Sequence, residues 1–195
     1  DNLARAKLFN LPPQAMTYNW EYLKRRFEDR VKLVEADVRD YEALLREVKG
    51  SSLVVHAAAQ VAVTTSLVDP KLDFEVNVLG TFNVLEAARI AEPSPPIVYC
   101  STNKVYGDNV NKIPVAVKDK RYVYADERFR HGIPEDYPVD LCEHTPYGCS
   151  KLAADLYVQD YAHVYGLRTG VFRMSCIYGE RQMGAEDQGW VAWFV

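Results

Sequence analysis

Ile97-Val98-Tyr99-Cys100-Ser101, followed by Thr102-Asn103-Lys104-Val105-Tyr106-Gly107, is a short apolar, β-rich run that ends on hydroxyls and then turns. Its length and its β-branched and aromatic residues predict a buried strand. Pro93-Ser94-Pro95-Pro96 just before it is a stop between helix and strand, not a linker between domains. Similar runs recur at Val31 to Ala36, Leu53 to Ala57 and Thr169 to Arg173, and helical spacing marks Tyr41 to Val48, Leu72 to Ala91 and Pro146 to Tyr165. Short apolar strands alternating with helices predict an α/β fold, a doubly wound parallel sheet with both faces covered. There is no internal repeat.

Thr145-Pro146-Tyr147-Gly148-Cys149-Ser150-Lys151 opens the last of these helices. Thr145 reads as an N-cap and Pro146 as the first helical residue, where its missing N–H costs nothing, and Gly166 stands past the end. Side chains at i and i+4 share a face, so Tyr147 and Lys151 point the same way. A phenol with an unperturbed pKa of about 10 is a poor base, yet a nearby ammonium favours the phenolate and draws that value toward neutrality. Such a pair takes a proton from a sugar or alcohol hydroxyl. The spacing also arises by chance on amphipathic helices, so its surroundings decide. Thr102, a hydroxyl just past a strand, lies where open parallel sheets hold their ligands, and would hydrogen-bond the same reacting hydroxyl.

A strand-end threonine, then Tyr and Lys opening a later helix, is the arrangement of the extended short-chain dehydrogenase/reductase superfamily, which this chain resembles over nearly its whole length. The resemblance implies a Rossmann-like domain, NAD as cofactor, a nucleotide-diphosphate sugar as substrate, and Thr102, Tyr147 and Lys151 as the catalytic residues. It places Asp1 at the adenosine ribose, where a carboxylate repels a 2′-phosphate and so favours NAD over NADP, and Asn2 in the cofactor set. Asp37 and Val38 would flank adenine, Ala57, Ala58 and Ala59 would let backbone approach the cofactor, and Asn77, Ser101 and Met174 complete the cofactor set with Tyr147 and Lys151. Gln60, Thr102, Asn103, Ser175, Cys176 and Arg181 would meet the substrate. Taken as residues alone, Asp1 also reads as an arbitrary first residue, Asp37 as a solvated loop carboxylate, and Arg181 as a surface charge instead of a diphosphate ligand.

Sugar 4,6-dehydratases of the superfamily carry Asp-Glu directly after the threonine, as the acid and base that expel water. Here Asn103-Lys104 stand there, which points to epimerisation or simple oxidoreduction. The runs Ser101 to Asp108, Thr145 to Asp155, Gln60 to Ser66 and Asp187-Gln188-Gly189-Trp190 with Trp193-Phe194 are similar to the epimerase branch that inverts C2 of a CDP-linked 3,6-dideoxyhexose. Two other readings stay open: a UDP-hexose 4-epimerase or other dehydratase or reductase of the family, and a non-catalytic NAD-binding sensor module. Relatives commonly pair through helices equivalent to Leu72 to Ala91 and Pro146 to Tyr165, which implies a homo-oligomer.

Composition narrows the field. The 195 residues are 48% hydrophobic and 26% charged, enough for one domain with a real core. A net charge of −4 without a basic stripe argues against nucleic acid or an anionic membrane as main partner. No apolar run approaches the roughly 20 residues that span a bilayer and no signal peptide is visible, so a cytoplasmic location is expected. Cys100, Cys142, Cys149 and Cys176 lack CxxC spacing and the histidines are scattered, which indicates thiols in a reducing compartment and no metal site.

The start at Asp1 and the apolar run from Gln188 to Val195 suggest a piece of a longer protein. Residues 1–195 then form a partial NAD-binding domain, without the glycine-rich turn that seats the pyrophosphate, and 180–195 begin a substrate lobe. Alone, such a piece is expected to be inactive. The polar, Pro-containing stretch 108–144 is a long insertion near the substrate pocket, read either as a roof over the sugar or as a solvated surface.

Overall fold

The computed structural model describes residues 1–4, 12–185 and 188–195, with side chains at 13–16 left aside. Asp187 of the C-terminal motif therefore lies outside the described residues. Three parallel strands, β1 (Val54–His56), β2 (Ile97–Thr102) and β5 (Thr169–Met174), form a sheet in the order β1-β2-β5. Val54 pairs with Ile97, Ile97 in turn with Thr169, and at the far end Thr102 with Met174. The C-terminal tips of β2 and β5 are thus side by side.

Helices α1 (Pro13–Arg26) and α2 (Tyr41–Val48) precede the sheet. Asp40 caps α2 by accepting from the Ala43 N–H at 3.0 Å. After β1 come α3 (Val63–Val68), α4 (Pro70–Phe74), a π turn (Glu75–Leu79) and α5 (Gly80–Ile90). The single helix expected from 72 to 91 therefore starts two residues earlier, where Asp69 accepts from the Leu72 N–H at 2.9 Å and Pro70 opens the first turn. It also carries an inserted π turn that no residue pattern announced.

Helix α6 (Thr145–Tyr165) starts at the expected place. Thr145 has φ 63°, outside helical space, and its Oγ1 lies 3.4 Å from the Gly148 N–H, so it serves as the cap although the helix is counted from it. Gly166 ends α6 at φ 70°, a conformation that costs glycine little. A short α7 (Trp190–Phe194) closes the chain.

Leu85, Ala87 and Ala88 of α5, Ala154, Val158 and Tyr161 of α6, and Ile97 and Tyr99 of β2 pack into one core, with Val48 of α2 at its edge. This covers one face of the sheet. Opposite it, Val55 and Phe172 stand 60% and 54% exposed, so among the described residues the second face is open where two covered faces were expected. No helix among the described residues is long and apolar enough to cross a membrane.

Two segments differ from expectation. Residues 31–36 are not a strand: their neighbour is Asp1, whose amino group lies 3.4 Å from the Val34 carbonyl and whose carbonyl accepts from the Ala36 N–H at 3.1 Å, and two bonds to one residue make no ladder. Within 108–144 lies an antiparallel hairpin, β3 (Val115–Lys118) with β4 (Arg121–Tyr124), followed by a 3₁₀ turn at Glu127–Phe129. Asp119 and Lys120 form its loop at φ 50° and 64°, the left-handed pair that a two-residue hairpin turn requires.

Candidate active site

A cleft of about 760 Å³ opens at the C-terminal tips of the strands. Ala57 and Ala59 line it after β1, Thr102, Asn103 and Lys104 after β2, and Met174, Ser175 and Cys176 after β5. Tyr147 and Lys151 face it from α6, and Arg181 and Trp190 from the C-terminal segment. Open α/β sheets bind ligands at this position. No residue of 108–144 lines it.

Tyr147 is 9% exposed, and its phenol is near enough to the Thr102 hydroxyl to feel it. Burial pushes the Tyr147 phenol above its ordinary value, and the Thr102 hydroxyl pulls it back only in part. That direction is opposite to the one the Tyr147 and Lys151 pair predicts. The reason is where the ammonium goes: Lys151 Nζ donates to the Cys100 carbonyl at 2.8 Å and sits 4.3 Å above the Tyr99 ring. Burial lowers Lys151 itself to about 8.

Beneath this pair is a polar network. Asp73, wholly buried, accepts from Gln60 Nε2 at 2.7 Å, from Asn77 Nδ2 at 3.2 Å and from the Ser150 hydroxyl. Burial raises the Asp73 carboxyl, and these donors with the Lys151 charge oppose the rise. Asn77 also accepts from the Gln60 N–H at 2.9 Å and donates to Ser150 Oγ at 3.0 Å, joining the loop after β1 to α6. Further along the same helix Thr81 gives its one hydroxyl proton to the Asn77 carbonyl at 2.6 Å, so at 2.9 Å from His56 Nε2 it accepts, and His56 carries its proton on Nε2. Burial holds His56 down at about 4, hence neutral. Ser66 Oγ accepts from the Tyr147 N–H at 3.2 Å, a second anchor for the first turn of α6.

On the other side of α6, Asp155 is wholly buried and accepts from Ser101 Oγ at 2.6 Å. Arg173 of β5 meets it with two bonds, Nε at 3.0 Å and Nη2 at 3.1 Å. The same guanidinium donates to the Glu135 carbonyl at 2.9 Å, so one side chain ties the sheet, α6 and the insertion together.

The structure thus gathers Thr102, Tyr147, Lys151, Ala57, Ala59, Ser101, Asn103, Met174, Ser175, Cys176 and Arg181 around one cleft. Gln60, Asn77 and Ala58 are not on its wall; the first two spend their polar atoms on the network below. Nor are Asp1, Asn2, Asp37 and Val38. Asp1 accepts from the Leu3 N–H at 2.7 Å, Asn2 Nδ2 donates to Asp37 at 2.8 Å, Asp37 is ion-paired with Arg39 at 2.8 Å, and Val38 packs against Gly80, where a Cβ would come within 2.6 Å of it. Asp37 and Asn2 do meet each other, and the Arg39 hydrogen bond holds the Asp37 carboxyl well below the carboxylate range. Sequence reasoning missed Asp73, Asp155 and Arg173. For Asp155 and Arg173 a signal existed, a charge in an otherwise apolar stretch of helix or strand; Asp73, beside Lys71 and Glu75, gave none.

A parallel sheet with a Thr, Tyr and Lys cleft at its tips defines a class, and the chain belongs to it: the NAD dependent epimerase/dehydratase family matches residues 8–195. NAD is the cofactor of that family. The chain is 50% identical over 139 residues to the CDP-paratose 2-epimerase of Salmonella typhi, covering 71% of this chain and 40% of that one. Its fold is similar to a dTDP-glucose 4,6-dehydratase double mutant from Streptomyces venezuelae with NAD and DAU bound (TM-score 0.66, 29% identity, 85% of this chain and 44% of that one). It is also similar to the UDP-glucose 4-epimerase of Thermus thermophilus in complex with NAD (TM-score 0.64, 28% identity, 92% and 58%). The chain spans about half the length of these relatives or less over most of the comparisons.

Proposed function

We propose that this chain carries the reaction centre of an NAD-dependent nucleotide-sugar epimerase that inverts C2 of a CDP-linked 3,6-dideoxyhexose, the activity named for its Salmonella typhi relative. The observation that carries the reading is the cleft itself: Thr102, Tyr147 and Lys151 face it, and its one carboxylate among the described residues, Glu180, is paired with Arg181 at 2.9 Å. Hydroxyl oxidation needs a base and a positioned hydroxyl, whereas expelling water needs a further free acid.

The residues fit the cofactor's reacting half. Ala57 and Ala59 leave room for close approach at the tip of β1, and the Lys151 ammonium and Tyr147 phenol stand beside that space. NAD supplies the hydride acceptor and donor when bound. Thr102 holds the sugar hydroxyl and passes its hydrogen bond to Tyr147, which takes the proton as the carbon becomes a ketone. Tyr147 and Lys151 would flank the nicotinamide end of NAD, whose positive charge would oppose the burial that holds the Tyr147 proton. Tyr147 would give the proton back once the planar ketone had turned its other face and been reduced again. Net redox change is zero.

A UDP-hexose 4-epimerase is the second reading, favoured by the Thermus thermophilus relative. The test is NMR of the sugar configuration with full-length protein: CDP-paratose should interconvert at C2. No interconversion, with UDP-glucose turned over at C4, would transfer the assignment, and NAD binding without turnover of any nucleotide sugar would favour the sensor module. The four free cysteines fit a reducing compartment, so we infer the cytoplasm. Exposed Phe82, Leu156, Tyr157 and Tyr165 form an apolar face on α5 and α6 that suits pairing with a second copy, which sedimentation velocity would register as a dimer.

A further inference from the structure

Among the described residues the wall of the cleft carries three cations, and two of them are already engaged. Lys151 donates to the Cys100 carbonyl at 2.8 Å, and Arg181 pairs with Glu180 at 2.9 Å and stacks on Tyr22 at 4.2 Å. Lys104 lines the same wall, is exposed, and its ammonium has no ion-pair or hydrogen-bond partner among the described residues.

Its main chain, by contrast, is held firmly. The Lys104 N–H donates to Thr102 Oγ1 at 3.3 Å, its carbonyl lies 3.5 Å from His144 Nδ1, and the first turn of α6 packs so closely that a Cβ on Gly148 would come within 3.1 Å of that carbonyl. Val105, next in sequence, is fully buried. A fixed backbone with an uncompensated cation, set beside the hydroxyl that addresses the reacting oxygen, is a built anion contact.

We propose that Lys104 is a substrate-binding residue that takes the diphosphate of the nucleotide sugar at its sugar-side phosphate. The inference rests on the epimerase reading and deepens it. In a sugar oxidised at C2, the carbon bearing the diphosphate is bonded directly to the reacting carbon, so a cation anchored next to Thr102 faces that phosphate. In a sugar oxidised at C4 the diphosphate lies across the ring from Thr102. Lys104 therefore selects the carbon by holding the group next to it.

The test uses the full-length, NAD-loaded protein and calorimetric binding of CDP and CMP, which differ by the phosphate in question. Lys104→Met should weaken CDP by about tenfold to a hundredfold and leave CMP within twofold, as expected for loss of one charge-assisted contact. Lys104→Arg should restore most of the difference. With the sugar substrate, Lys104→Met should raise KM by a similar factor while kcat stays within about threefold. Equal weakening of CDP and CMP, or an unchanged CDP affinity, would overturn the assignment. A wild type that prefers UDP over CDP would move the base recognised while the same comparison, run with UDP and UMP, still decides Lys104.

Discussion

Tyr147 and Lys151 are one helical turn apart, yet burial drives their proton affinities in opposite senses, up for the phenol and down to about 8 for the ammonium. A buried lysine whose folded value lies below its unfolded value of about 10.5 binds fewer protons folded than unfolded between those two limits. Stability therefore rises with pH from about 8 to 10.5, by about 3 kcal/mol for this group alone, and the gain is lost as pH falls back from 10.5 to about 8. Chemical denaturation of NAD-free protein should show wild type gaining on Lys151→Met across that window; parallel curves would mean that Lys151 is not held in a desolvated state. If Tyr147 takes the proton as proposed, Tyr147→Phe should lower turnover by about a hundredfold or more while bound NAD, read by absorbance after denaturation, is retained. Unchanged turnover would remove Tyr147 from the chemistry. The spacing of this pair was legible in the sequence, but the direction in which burial moves the phenol was not. The Lys151 bond to Cys100 was not, because no local pattern records which carbonyl a buried ammonium finds.

Among the elements, β1, β2, β5 and α6 follow from apolar periodicity and from the proline and glycine at the ends of α6, and residues 31–36 show where that reasoning stops. An apolar run becomes a strand only if another strand lies alongside to complete its ladder. The β3–β4 hairpin escaped for a different reason: Asp119-Lys120 lacks the Gly that usually marks its turn. Asn77 was legible as a polar residue in an apolar helix, but its role as a tie between the β1 loop and α6 depends on Ser150, far away in sequence. Gly107 shows how tightly the next element is set. It lies at φ 55°, ψ −153°, and a Cβ there would come within 2.7 Å of the Glu143 carbonyl and 2.8 Å of Cys142 Sγ. Gly107→Ala combines a backbone conformation open essentially to glycine with a clash against main chain, and should destabilise by about 3 kcal/mol or more. An unfolding midpoint equal to wild type would show that the segment before α6 shifts freely.

At the scale of the molecule, long-range polar ties connect what the periodic elements leave separate. The pair of Arg173 and Asp155 is 14% and 0% exposed, so removing one partner strands a buried charge. Arg173→Met should cost about 3–5 kcal/mol, whereas Arg173→Met with Asp155→Leu should recover much of it; a double variant as unstable as the single one would assign the loss to packing. Proteolysis should cut the 113–137 region faster in Arg173→Met than in wild type, because the bond to Glu135 is lost with the pair. That bond has a consequence for engineering. The insertion grips the sheet through a carbonyl, which every amino acid possesses, and the gripping side chain belongs to β5. Chimaeras that exchange 115–124 should therefore fold provided Arg173, the chain path through Glu135 and an aromatic at position 124 to pack on Phe129 are retained.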